Sequence, residues 1–126
     1  MKERIQSDAA PKPIGPYSQA IAVEGLLFTA GQGPMDPATS QLVEGGIVEQ
    51  TERTMKNLGG ILEASGLGYG DVVKTTCYLA DMDDFRAFNE VYAMFFDQPF
   101  PARTTIQAAR LPMDILVEIE AVAVRH

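Results

Sequence analysis

The chain has 126 residues, 46% apolar and 21% charged, which is the make-up of one globular domain spanning residues 1–126. Its formal net charge of −7 lacks the basic footprint of a nucleic-acid binder, and no apolar run approaches the ~20 residues needed to cross a bilayer. One cysteine and one histidine, the latter the terminal His126, exclude an internal disulfide, a zinc site and His-based acid–base chemistry, and point to the cytoplasm.

The N-terminal MKERIQSDAAPKP has no apolar export core, and PKPIGPYSQ (11–19) reads as an ordered Pro/Gly-braced loop or edge segment. AIAVEGLLFTAG follows as two short strands turning at Glu24-Gly25, and GQGPMDPATSQLVEGG as a loop with a turn at Asp36-Pro37. Apolar residues at Ile47, Val48, Met55, Leu58, Ile61 and Leu62 predict a helix from Ile47 to Ser65, stopped by Gly66. DVVKTTCYLAD is a strand by its β-branched content, with Val73, Thr75, Cys77 and Leu79 on one face and Cys77 as a small buried hydrophobe. Asp81, Asp83 and Asp84 suit a solvated helix start. The next helix is expected from about Asp84 to Asp97, its stripe of Phe85, Phe88, Val91, Tyr92, Phe95 and Phe96 packing on a sheet. RTTIQAA and ILVEIEAVAV are the last two strands, joined across residues 110–114.

This order predicts an α+β domain with helices on one face of a mixed sheet. In the last strand, Ile115, Val117, Ile119, Ala121 and Ala123 point one way, and Leu116, Glu118, Glu120, Val122 and Val124 the other. Helices cover only one face, so the second set of apolar residues implies burial against another subunit. A hairpin between the last two strands would set Arg103–Thr105 across from Glu118–Glu120, in a register the sequence leaves open. Two readings follow: a cross-strand salt bridge, or a site where Arg103 grips a carboxylate and a glutamate handles a proton or water. Tyr17 adds a phenol from the N-terminal loop, and Thr29-Ala30-Gly31-Gln32-Gly33 lets backbone groups approach a ligand.

GPYSQAI (15–21), AGQGPMDP (30–37), DVVKTTCYLADMDDFRAFNEVYAMFF and PARTTIQAARLPMDILVEIEA (101–121) together resemble the RidA/YjgF/UK114 family from residue 5 to the end. The resemblance implies a chorismate-mutase-like fold, a homotrimer with a barrel-like centre, and three ligand sites in clefts between subunits. It implies hydrolysis of reactive 2-imino or enamino acids, such as 2-aminoacrylate, to 2-keto acids and ammonia, with no cofactor and no metal. By that match Arg103 clamps the substrate carboxylate, Glu118 positions or activates the water, and Tyr17 lines the cleft. Ala30, Gly31, Asn89 and Thr105 match positions around the ligand, and Glu120 is expected to be structural. Ala30, Gly33 and Thr105 depart from residues common in the family, serine, a bulkier aliphatic and cysteine respectively. The alternative function is a non-catalytic trimer that holds 2-keto acids or other small carboxylates. The charge of −7 and the missing internal histidine speak against RNA cleavage.

Overall fold

The computed structural model describes residues 1–125; His126 lies outside them. Six strands and two α-helices follow in the order β1 (Glu3–Ile5), β2 (Ala20–Val23), β3 (Leu26–Thr29), α1 (Ile47–Ala64), β4 (Val72–Leu79), α2 (Phe85–Ala93), β5 (Ala102–Gln107) and β6 (Val117–Val124). They form one mixed sheet in the order β1-β2-β3-β6-β4-β5, parallel only between β4 and β5. Both helices pack on one face, as expected, closing a core that contains Leu27, Leu58, Phe88, Leu79, Val117 and Ile119. No helix is long and apolar enough to cross a membrane among the described residues.

Local chemistry explains the boundaries. Glu24 and Gly25 both take positive φ (50° and 80°), the tight two-residue turn that matches strand twist. Helix α1 begins where the Glu49 carboxylate accepts the Gly46 N–H at 2.8 Å. It ends at Gly66 (φ 76°), with Gly66 N–H donating to Glu63 and Leu67 N–H to Leu62, a Schellman closure. Asp81 caps the short helical turn before α2 by accepting the Asp83 N–H.

Three expectations need correction. Helix α2 stops at Ala93, not Asp97: the Met94 and Phe95 N–H groups turn to the carbonyls of Val91 and Tyr92, the tighter pattern that ends a helix. The turn folds Phe95 and Phe96 back, with ring centroids 5.5 and 5.8 Å from Tyr69. Val73 does not share a face with Thr75, Cys77 and Leu79, because a bulge between Val72 and Lys74 breaks the alternation and leaves it exposed.

The third correction bears on function. Strands β5 and β6 do not form a hairpin, because β4 lies between them, pairing parallel with β5 and antiparallel with β6. Arg103 therefore sits beside Thr75, while Tyr78 sits beside Glu118 and Thr76 beside Glu120. Burial accounts for this order. Thr75, Cys77 and Leu79 are fully buried, so β4 belongs in the sheet interior, whereas β5 exposes most of its residues and serves as an edge.

Candidate active site

Alternation along the strands decides which face each charged residue occupies. Val117, Ile119, Ala121 and Ala123 are buried under the helices, so Glu118 and Glu120 stand on the open face. Arg103 pairs in register with the inward-facing Thr75 and turns toward α2. Arginine and glutamates thus point to opposite faces, two strands apart. The cross-strand salt bridge is ruled out: among the described residues the ion pairs are Lys56–Glu52, Arg110–Asp114 and Arg125–Glu3.

The first cluster is built on β6 and the loop after β3. Gln32 and Ile119 exchange both backbone hydrogen bonds (2.8 and 3.0 Å), laying Gly31 directly beside Glu118. A Cβ on Gly31 would collide with the Glu118 carboxylate, so the absent side chain is what seats it. These two residues line a cleft of about 130 Å³ together with Tyr17, Lys12, Met35 and Met113. Ala30 is next to it, its N–H bonded to the Gln19 carbonyl at 2.8 Å. The buried Gln19 amide in turn holds the N-terminal loop, donating to the carbonyls of Ser7, Ala10 and Pro11 and accepting the Ser7 N–H. Tyr17 projects from that loop, half exposed. Burial first, and the Glu120 carboxylate second, push the Glu118 carboxyl above its ordinary range. Glu120 itself accepts the Tyr78 hydroxyl at 2.8 Å.

The second cluster lies between β5 and α2. The Arg103 guanidinium carbon is 4.8 Å from the Tyr92 ring centroid and 5.5 Å from those of Phe85 and Phe88. The aromatic stripe predicted as core therefore also seats the cation. Tyr92 is held by a 2.8 Å hydrogen bond to Thr75. Arg103, Asn89, Tyr92, Phe100 and Pro101 line an open groove. Asn89 Oδ1 and Thr105 Oγ1 are buried with no hydrogen-bond partner, and Thr105 stands two residues from Arg103 on the same face. Unsatisfied buried acceptors beside an unpaired guanidinium are the condition in which a ligand's polar groups complete a site.

The seven predicted site residues thus fall into two clusters, Tyr17, Ala30, Gly31 and Glu118 in one, and Asn89, Arg103 and Thr105 in the other. Sequence reasoning missed Lys12, Gln19 and Asn57, whose amide holds the loop beside Gly31. Asn57 did carry a signal: it is a polar residue at helical spacing within the apolar stripe of α1.

Comparison with known proteins agrees with the fold. The endoribonuclease L-PSP family profile matches residues 7–125. A RutC family protein of Pyrococcus horikoshii is 52% identical over 126 residues, the full length of both chains. The 2-iminobutanoate/2-iminopropanoate deaminase of Mus musculus is 47% identical, covering 99% of this chain and 93% of its own. A crystal structure of Escherichia coli TdcF with bound serine superposes with a TM-score of 0.93 at 39% identity, over 98% of this chain and 99% of that one. The chain belongs to the endoribonuclease L-PSP, or RidA/YjgF, family.

Proposed function

We infer that this protein hydrolyses reactive 2-imino or enamino acids to 2-keto acids and ammonia, at sites shared between the subunits of a homotrimer. The observation that carries the reading is the split site. Arg103 and Glu118 occupy opposite faces of one sheet, so a second copy is needed to bring a carboxylate clamp to a half-buried carboxyl. The open face that bears Glu118 also exposes Leu26, Phe28 and Ile106, which packing against another subunit would cover.

The division of labour follows from residue chemistry. Arg103 keeps its charge at any working pH, is fixed over three rings and presents a fork that fits a carboxylate. An iminium carbon is already electrophilic, so placement and an oriented water suffice. Glu118 takes a proton from that water as its oxygen adds to carbon and the C=N bond becomes single. The proton then passes to the amine nitrogen, the C–N bond breaks to release ammonia, and the hydroxyl gives its proton to solvent, leaving a ketone. Asn89 and Thr105 offer acceptors for the substrate's N–H groups. Tyr17 closes the cleft from the N-terminal loop, and Ala30 and Gly31 let backbone reach the ligand.

A second reading, a trimer that holds small carboxylates without turning them over, is favoured by the serine carried by the TdcF structure. It needs Arg103 but not Glu118. Imines generated in situ by an amino-acid oxidase, with ammonia release followed, decide between them. Loss of turnover in both Arg103→Ala and Glu118→Ala supports hydrolysis. Full rate in Arg103→Ala refutes it, and ligand binding with no enzyme-dependent turnover in the unaltered protein favours the second reading.

A further inference from the structure

Helix α1 carries two buried side-chain amides, Gln50 and Asn57, seven residues and two turns apart on one face. The Gln50 carbonyl accepts the Leu116 N–H at 2.8 Å, two residues before Glu118. The Asn57 amide donates to the carbonyls of Gly33 (2.9 Å) and Met35 (2.8 Å), both in the loop that carries Gly31. Asn57 Oδ1 accepts the Arg53 Nε–H at 3.1 Å, and this bond fixes the amide's orientation. With the amide reversed, its oxygen would face two carbonyls and its NH₂ a guanidinium. The intervening Pro34 carbonyl takes the Val43 N–H, so successive carbonyls of the loop are all engaged. One rigid helix thereby holds both walls of the Glu118 cleft, and the Gln32–Ile119 pair locks the walls together.

We propose that Asn57, oriented by Arg53, is a positioning residue that sets the separation between Gly31 and the Glu118 carboxylate and so keeps water from crowding that carboxyl. Asn57 reaches no substrate; it acts through the backbone of residues 33–35. Asn57 is fully buried and spends its amide hydrogens on two loop carbonyls, a demand that leucine cannot meet. The inference rests on Glu118 as the water's partner, but its primary test does not require turnover.

The test is the titration of Glu118 in the full chain, followed by carboxyl carbon NMR and assigned with Glu118→Gln. The titratable groups around Glu118 are Glu120 on its own strand, Tyr78 on β4, and Lys12 and Tyr17 in the N-terminal loop, all unchanged in the variants. In Asn57→Leu the freed loop admits water, and the Glu118 midpoint falls toward the ordinary carboxylate range. Where imine hydrolysis is measurable, kcat/KM falls about tenfold and the acid limb of its pH profile moves the same way. A Glu118 midpoint identical to that of the unaltered protein, in a folded Asn57→Leu chain, overturns the proposal. Simple destabilisation would change the folded fraction without moving that midpoint. If Asn57→Leu does not fold, Arg53→Leu leaves the core filled but frees the amide to turn, and an unmoved midpoint there overturns the proposal equally. Absence of turnover in the unaltered protein, with a shifted midpoint in the variants, refutes the catalytic reading while leaving Asn57's role intact.

Discussion

Replacing Gly31 with alanine probes the candidate site through a single methyl group. The φ of Gly31 is outside the left-handed region, so the backbone accepts alanine and the effect comes from the new Cβ alone. That Cβ would stand 2.8 Å from Glu118 Cδ and 3.0 Å from its Cγ, and closer still to Oε2. Comfortable carbon contacts are about 3.5–4.0 Å, so the carboxylate must retreat by about 1 Å. Twisting the side chain off its rotamer costs about 1 kcal/mol, or ~4 °C in melting temperature for a domain of this size. A 1 Å misplacement of a reacting group costs about 10²-fold in rate. The assay is ammonia release from oxidase-generated imines, paired with thermal melts of Gly31→Ala, Glu118→Ala and the double variant. In the Glu118→Ala background the three colliding atoms are gone, so the stability cost of Gly31→Ala falls and the cycle shows a coupling of about 1 kcal/mol. Unchanged turnover in Gly31→Ala, or an equal stability cost in both backgrounds, would refute the reasoning.

Three further outcomes are expected. Arg103→Lys keeps the charge but loses the fork; one charge-assisted hydrogen bond is worth about 1.5–3 kcal/mol, so steady-state kinetics should show kcat/KM down by about 10–100-fold. Glu118 holds its proton more tightly when folded, so its contribution is most favourable at low pH and is lost as pH rises through the raised value. Glu118→Gln should therefore melt higher than the unaltered protein at pH 7, with the gain vanishing below the ordinary ~4.3; a melting difference independent of pH would contradict this. Burial pushes the Cys77 thiol up to about 11, so thiol reagents at pH 8 should label it only in denaturant, and rapid labelling of native protein would show the β4 core to be open.

Much of the fold was legible because its signals are local. The β2–β3 turn was visible in Glu24-Gly25, and the stop of α1 in Gly66, since both depend on the φ preferences of single residues. The two faces of β6 could be read by parity, because alternation is a property of any extended chain. Strand β1 was missed: three residues, two of them exposed, carry no pattern to detect. Val73 was misassigned because a bulge is settled by the partner strand rather than by its own sequence.

The sequence by itself determined the candidate residues and their local settings: one arginine opening a short strand, a glutamate facing away from the core, and glycines in the loop after β3. Only the tertiary structure decided that the first two do not meet within one chain. Inserting β4 between β5 and β6 depends on which strand buries more, and this is a comparison among distant segments that no local pattern encodes. Because strand order sets neighbours and parity sets faces, Arg103 and Glu118 end two strands and one face apart. That separation replaces the hairpin pairing of arginine and glutamate with two clusters on opposite faces of the sheet.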